Sequence, residues 1–162
     1  MEEPVGDTAA MARTWLAGPD DAPSVAGLLI GFRDWYGRSE PPDEAFAAGV
    51  ERLIADPATD YLLAAAGDEP GGVCQLRYRY GLWYDALDCW LEDLYVRDAD
   101  RRRGLGQALV EASIARARAR GCGRIELDVS EKNPAAWRLY EQMGFSAEYK
   151  QPAPNVLMGL VL

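Results

Sequence analysis

The sequence contains no histidine, and only Lys132 and Lys150 among its 17 basic residues are lysines. Without histidine, neither a Ser-His-Asp nor a Cys-His catalytic group can form, and the usual zinc sites become improbable, so no metal is expected. The only three cysteines are an odd number with no C-x-x-C spacing, which favours free thiols in a reducing, cytoplasmic compartment. Acid–base chemistry must therefore come from Asp, Glu, Tyr, Cys or one of the two lysines.

Long apolar runs and an excess of positive charge are also missing. No apolar run approaches the roughly 20 residues of a membrane span, so no membrane partner is expected. The net charge of −9 argues against nucleic acid as a partner and favours cationic substrates. A length of 162 residues with 49% hydrophobic content predicts one folded domain over residues 1–162.

Helix-like and strand-like segments alternate along the chain in the order β-α-α-β-β-β-α-β-α-β-β, which predicts a mixed α/β sheet. Helices are expected over Ala22–Tyr36, in the segment containing Phe46 to Ile54, over Gln107–Arg120 and from Pro134 onward. Strands are expected to end at Leu16 and to cover Tyr61–Ala66, Val73–Tyr80, Trp90–Val96 and Ile125–Val129. Two closing strands are expected over Phe145–Tyr149 and Val156–Leu162.

The segment Arg101–Gly106 lies between the Trp90–Val96 strand and the helix from Gln107. A strand that turns through glycines into a helix directs several backbone N–H groups at one point, which suits a phosphate or pyrophosphate. A Walker loop would need Lys-Ser or Lys-Thr where Gln107 and Ala108 stand, and Leu109 replaces the third glycine of a dinucleotide fingerprint. The remaining pattern is (Arg/Gln)-x-x-Gly-x-(Gly/Ala), with an ordinary turn carrying solvated arginines as the alternative.

In this form the loop resembles the acyl-coenzyme A pyrophosphate loop of the GNAT N-acetyltransferase superfamily. A second block, Asn133–Phe145, resembles the GNAT segment that carries an Asn, a Tyr and a Gly-Phe turn. The resemblance covers roughly residues 61–162 and implies the GNAT fold, a mixed, mostly antiparallel sheet splayed between strands four and five. The acetyl-CoA cosubstrate would lie in that gap.

The resemblance also implies which residues contact acetyl-CoA. The backbone of three strand residues would bind the pantetheine arm, and the loop would bind the pyrophosphate. Of two residues in the second block, the first would lie near the pantetheine and the second near the departing thiolate. These are, in that order, Leu94, Tyr95 and Val96; Arg101, Arg102, Arg103, Gly104, Leu105, Gly106 and Gln107; and Asn133 and Tyr140.

A narrower resemblance links Tyr78-x-Tyr80-x-x-Trp83 and the run Leu91–Val96 to the diamine and polyamine acetyltransferases. That branch uses a carboxylate of strand four and a tyrosine of helix four, which match Glu92 and Tyr140. It implies Glu92 as the proton acceptor and Tyr140 as the proton donor to the leaving thiolate. The acceptor amine would contact Glu92, Asp93, Tyr80, Trp83 and Glu126.

The choice between Glu92 and Asp93 as proton acceptor stays open. Neighbouring side chains in a strand point to opposite faces unless a bulge intervenes, so only one of them should face the cleft. Taken alone, the two carboxylates are more often a solvated strand edge, and Tyr140 is more often core packing.

The sequence and the resemblance together predict an acetyl-CoA-dependent N-acetyltransferase that acts directly on a small cationic amine, as a homodimer. The acceptor could be a diamine, a polyamine or an amino-acid-like molecule. The alternatives are an enzyme for protein lysines or N-termini, and a module that binds acyl-CoA without turnover. An NAD-binding Rossmann protein is the weakest alternative.

Overall fold

The structure is a computed structural model that describes residues 12–147 and 160–161. The chain divides into two compact units, Met1–Asp128 and Val129–Leu162. The single domain expected over residues 1–162 stays a prediction. In the described ranges, no helix is both long enough and apolar enough to cross a membrane.

The first unit contains a five-stranded sheet in the order β1-β2-β3-β4-β5. The first four strands run antiparallel to their neighbours, and β5 runs parallel to β4. The strands are β1 (Arg13–Leu16), β2 (Thr59–Ala65), β3 (Gly72–Gly81), β4 (Ala86–Val96) and β5 (Cys122–Glu126). The predicted mixed, mostly antiparallel sheet is therefore confirmed.

Helices cover both faces of this sheet. The first face, here called the α1 face, packs against α1 (Ala22–Trp35) and α2 (Asp43–Ile54), and the α3 face packs against α3 (Leu105–Ala119). Neighbouring strand residues serve opposite faces: Leu62 belongs to the α3-face core, whereas Leu63 belongs to the α1-face core. Both faces are apolar, which explains why β2 is buried along its whole length.

Strands β4 and β5 pair only where Leu87–Trp90 lies beside Cys122–Glu126. Beyond Trp90, β4 keeps its pairing with β3 but has no β5 partner among the described residues. The strand predicted over Ile125–Val129 was therefore placed wrongly. Its apolar alternation continues past Glu126, but the pairing with β4 ends there. Among the described residues, β4 therefore has no β5 partner from Leu91 onward, in the region where the resemblance implied a splay.

The second unit contains α4 (Pro134–Gln142), which begins where the sequence predicted. The Asn133 side chain accepts a hydrogen bond from the Ala136 backbone N–H at 3.2 Å, and proline occupies the first helical position. The two predicted closing strands lie mostly outside the described residues. Their described part at Phe145–Ala147 is not a strand.

Candidate active site

The loop between β4 and α3 has the backbone of an anion site. Arg102 and Gly104 both adopt positive φ, at 60° and 79°, and the chain then enters α3 at Leu105. No side chain caps this helix, and its backbone hydrogen bonding starts with the Ala108 N–H donating to the Gly104 carbonyl. The amides of the first turn, Leu105–Gln107, are therefore available to an anion. Gly104 tolerates the left-handed conformation at no steric cost.

A buried carboxylate organises two arginines beside this loop. Asp100 accepts hydrogen bonds from Arg97 Nε at 2.7 Å and from an Arg103 guanidinium nitrogen at 3.1 Å. It also packs tightly against the β2–β3 turn, where a Cβ built on Gly71 would lie 2.5 Å from the Asp100 carboxyl carbon. Arg103 donates a further bond to the Ala66 carbonyl at 3.2 Å. These contacts fix the loop against the sheet before any ligand binds.

The other two loop arginines differ in their partners. Arg101 forms an ion pair with Asp98 at 2.8 Å, and its guanidinium lies 5.6 Å from the centre of the Trp35 ring. Arg102 makes no ion pair or hydrogen bond with any residue in the described ranges. Of the three predicted loop arginines, Arg102 is therefore the one whose guanidinium keeps all of its N–H donors for a phosphate.

A β-bulge interrupts β4 at the carboxylates. Gln75 of β3 pairs with Asp93, whereas the next residue, Leu76, pairs with Leu91. Glu92 is therefore an extra residue in β4. It has no partner in β3, because the neighbouring residues Gln75 and Leu76 pair with Asp93 and Leu91. No signal in the sequence indicated where in β4 such a bulge would lie.

The bulge places both carboxylates on the same face of the sheet. Leu91 and Leu94 both pack in the α3-face core, although a regular strand would send residues three apart to opposite faces. Tyr95 belongs to the α1-face core, and alternation from Tyr95 places Asp93 on that face as well. Glu92, between Leu91 and Asp93, shares the face. The expectation of opposite faces applied only to a strand without a bulge, and the extra residue meets that exception. Which of the two carboxylates accepts the proton stays a prediction.

Burial and repulsion alter the titration of Asp93. Its removal from water, followed by the negative charges of Glu92 and Asp128, raises its pKa from 3.8 to about 6. The neighbouring Tyr61 hydroxyl responds to the same surroundings: burial, and then the charge of Asp93, raises its pKa to about 12. Asp93 is therefore a carboxylate whose proton affinity lies close to neutral pH, which suits an acid–base group.

Aromatic side chains line the same face. Phe32 stacks on Tyr95 at 5.3 Å between ring centres, and Tyr36 lies 4.9 Å from Phe32. Trp35 meets Tyr36 edge-on at 5.0 Å, and both rings keep about half of their surface exposed. No prediction included this cluster, although the spacing of Phe32, Trp35 and Tyr36 on one helix is a sequence signal for it.

The predicted aromatic residues lie elsewhere. Tyr80 pairs with Leu87, five residues before Glu92, which corresponds to roughly 16 Å along a strand. Tyr78 packs in the α3-face core, so Tyr80 points away from the carboxylates' face, and Trp83 is 94% exposed in the β3–β4 turn. The structure does not bring Tyr80 or Trp83 to Glu92, and their part in amine binding stays a prediction.

Glu126 is buried and forms an ion pair with Arg124 at 3.0 Å. The same arginine binds both carboxylate oxygens of Asp88, at 2.9 and 2.8 Å. Glu126 therefore contributes to a structural ion-pair network between β4 and β5, and a contact with the substrate stays a prediction.

The remaining predicted residues belong to the second unit. Asn133 caps α4, and the Tyr140 ring meets Phe145 edge-on at 5.8 Å. The Phe145 backbone N–H also donates to the Tyr140 carbonyl at 3.0 Å, which closes the Gly-Phe turn. The assignment of Asn133 and Tyr140 to the cofactor, and of Tyr140 to catalysis, stays a prediction.

Comparison with known proteins identifies the family. The sequence profile described as "Acetyltransferase (GNAT) family" matches residues 28–145. The chain belongs to the GNAT acetyltransferases. Acetyl-CoA is the acetyl donor of this family, and the predicted cofactor is confirmed at that level.

Individual GNAT relatives extend the comparison. A crystal structure of an acetyltransferase-family protein from Arthrobacter sp. FB24 is 32% identical, with a TM-score of 0.83, and the match covers 96% of this chain and 99% of that one. Thialysine N-epsilon-acetyltransferase of Bos taurus is 34% identical over 89 residues, and that of Caenorhabditis elegans is 33% identical over 99 residues. These matches cover 51% and 61% of this chain, and the chain spans the same shares of the two curated relatives.

Proposed function

We propose that this chain transfers the acetyl group of acetyl-CoA to the primary amine of a small cationic molecule. The observation that carries the proposal is the bulge at Glu92, which puts two adjacent carboxylates on one face of β4 where the strand has parted from β5. An acceptor amine can approach from this face, while the thioester lies along the open edge of β4. The names of the thialysine acetyltransferases support an amine acceptor.

The reaction requires the amine to lose a proton. An alkylammonium has no lone pair at neutral pH, so a base must take its proton before the nitrogen attacks the thioester carbonyl. Burial, and then the negative charge of Glu92, raises the pKa of Asp93 to about 6, which lies close to neutral pH. We assign the proton acceptance to this pair of carboxylates.

The second half of the reaction is the departure of coenzyme A. The amine nitrogen bonds to the carbonyl carbon, and the tetrahedral intermediate then releases the thiolate as the C–S bond breaks. In our proposal the Tyr140 hydroxyl gives the thiolate a proton, and a backbone N–H of β4 near Leu94 stabilises the carbonyl oxygen. No cysteine is assigned to an acetyl-enzyme step, so transfer is direct. The nitrogen gives up its second proton to solvent as the intermediate collapses to the amide, and solvent returns a proton to Tyr140.

Selectivity for a cation follows from charge and from the aromatic wall. The chain carries −9 overall, and the two carboxylates add local negative charge on the α1 face. The exposed parts of Trp35 and Tyr36 offer ring faces to an ammonium group.

We assign the contacts with acetyl-CoA to the loop and to Leu94–Val96, as predicted from the sequence. A homodimer in the reducing cytoplasm completes the proposal; Cys74 and Cys89 are buried free thiols, and Cys122 is a partly exposed free thiol.

The test measures release of the coenzyme A thiol with acetyl-CoA and a panel of amines. The panel contains a diamine, a polyamine, lysine, a neutral amine and a peptide with a free N-terminus. We expect the diamine, the polyamine and lysine all to give a higher kcat/KM than the neutral amine, and added salt to reduce their advantage. The double variant Glu92→Gln/Asp93→Asn should lose activity near pH 7 and regain part of it at high pH. Glu51→Gln, an exposed carboxylate on α2, is the matched control.

Each outcome has a distinct meaning. If the peptide were preferred, the enzyme would act on proteins. If acetyl-CoA bound but no amine were acetylated, the chain would be a non-catalytic acyl-CoA-binding module. If the double variant equalled the wild type at every pH, the carboxylate pair would have no part in proton transfer.

A further inference from the structure

A cavity of about 310 Å³ lies between α1 and the C-terminal end of β4. Gly27 and Gly31 of α1 form one wall, and the β2–β3 turn forms another. A Cβ built on Gly27 would meet no atom within 4 Å, so this wall is recessed. The volume falls at the lower end of the range for small-molecule sites, which begins at roughly 300 Å³.

Polar groups of opposite charge line the cavity. Arg97 and Glu69 contribute a guanidinium and a carboxylate, and Ser24 contributes a hydroxyl. Arg97 uses its Nε for Asp100, so its two terminal nitrogens keep their hydrogen-bonding capacity. The lining therefore offers a donor fork for a carboxylate and an acceptor for an ammonium group.

The hydroxyl of Tyr95 is a further polar group of this lining. It makes no hydrogen bond with any residue in the described part of the chain, and none of the described side chains has a polar atom that is both buried and without a partner, so this oxygen is open to the cavity. It lies 3.4 Å from the position that a Cβ on Gly31 would occupy, beside the cavity wall. The hydroxyl can therefore donate a hydrogen bond to a polar ligand in the cavity or accept one from it.

The cavity is continuous with the face that carries the proposed proton acceptors. Tyr95 and Asp93 are two residues apart on the same face of β4, which corresponds to roughly 7 Å along a strand. Arg97 lies two residues further on. A molecule with a cationic amine at Asp93 and a carboxylate at Arg97 would therefore need a chain of a few carbon atoms between the two groups.

We propose that this cavity binds the α-amino-acid end of the acceptor, with Arg97 on its carboxylate and Glu69 on its α-ammonium group. The acceptor is then an amino acid whose side-chain amine reaches Glu92 and Asp93. This inference rests on the proposed acetyl transfer and narrows its substrate from cationic amines in general to zwitterionic ones. It makes Arg97, Glu69 and Tyr95 determinants of specificity rather than of chemistry.

L-lysine and cadaverine provide the direct test, because they differ only in the α-carboxylate. We expect the wild type to favour lysine in kcat/KM by more than tenfold. Gly27→Met places a long side chain in the cavity and should bring the lysine-to-cadaverine ratio close to one. Gly49→Met is the matched control, because Gly49 is also helical with no atom within 4 Å of an added Cβ, yet lies outside the cavity. This control should keep the wild-type ratio.

Calorimetry of lysine binding to the acetyl-CoA-free protein separates this inference from the proposed transfer. We expect lysine to bind the wild type and Gly49→Met, and to bind Gly27→Met and Arg97→Gln at least tenfold more weakly. Arg118→Gln, which removes an exposed guanidinium from α3, controls for lost charge. Lysine binding without any turnover would support the cavity and overturn the transfer. A wild type that favours cadaverine, or lysine binding unaffected by Gly27→Met, would overturn the cavity assignment.

Discussion

The raised pKa of Asp93 predicts that the proposed active site costs folding stability, in a way that depends on pH. Burial and the repulsion from Glu92 and Asp128 raise this pKa from 3.8 to about 6. Each pKa unit corresponds to about 1.4 kcal/mol, so two units amount to about 3 kcal/mol. Asp93→Asn removes the ionisable group and keeps a side chain of nearly the same shape.

The sign of the effect follows from the two titrations. Well below pH 3.8 the carboxyl is protonated in both the folded and the unfolded chain, and it has no ionisation cost. Between that pH and about 6 the unfolded chain ionises first, which progressively favours unfolding. Above about pH 6 both states are ionised, and the whole cost of about 3 kcal/mol remains. Asp93→Asn should therefore be only about 0.5 kcal/mol more stable than the wild type near pH 4, and about 3 kcal/mol more stable near pH 8.

Urea unfolding at both pH values measures the difference. Glu92→Gln should recover a smaller part of the stability at pH 8, because the Glu92 charge is the second cause of the shift, after burial. Glu51→Gln on the exposed side of α2 should change little at either pH. If Asp93→Asn were no more stable than the wild type at pH 8, or gained equally at both pH values, Asp93 would not be a buried and strained carboxylate.

Three further changes test other parts of the site. Gly106→Asp puts a negative side chain in the uncapped first turn of α3 and should weaken acetyl-CoA binding more than tenfold by calorimetry, with an unchanged circular dichroism spectrum; equal affinity would move the pyrophosphate elsewhere. Tyr140→Phe should lower kcat by about 10²-fold with little change in the acetyl-CoA KM, which is the usual size for a general acid; wild-type turnover would leave Tyr140 a packing residue. Asp100→Asn loses the contacts to Arg97 and Arg103 and should raise the acetyl-CoA KM about tenfold with kcat retained, whereas Asp98→Asn, with its 73% exposed side chain, should have a smaller effect. Equal effects of these two aspartate variants would show that Asp100 does not preorganise the loop.

Local sequence signals were sufficient for most of the fold. Proline after Asn133 and the glycine at 144 marked α4, and the strand-glycine-helix pattern located the loop before α3. The prediction was wrong where pairing between distant strands decides the boundary. The segment at Ile125–Val129 alternates as a strand should, but β5 ends at Glu126, where its pairing with β4 stops. The alternation of apolar and polar residues is a property of one segment, and it does not show where the strand that pairs with that segment ends.

It was harder to predict which face of the sheet a side chain lies on than to predict which strand or helix contains the residue. Tyr80 and Trp83 stand close to Glu92 in the sequence, and this suggested a common pocket. The β3–β4 turn carries them away along the strand, while α1 brings Trp35 and Tyr36 to the carboxylates' face through Tyr95. Such contacts join residues about sixty positions apart, so no local pattern records them.

The bulge explains why the two carboxylates could be found but not oriented from the sequence. In a regular β4, Glu92 and Asp93 would serve opposite faces, and one of them would lie against the apolar surface of α3. That arrangement would bury a charge without a partner, which is far more costly than a local break in the ladder. The extra residue keeps Leu91 and Leu94 in the α3-face core and turns both carboxylates toward the α1 face. Deleting Glu92 should therefore do more than remove one carboxylate, because it would restore the alternation and shift either Asp93 or Leu91 to the wrong face.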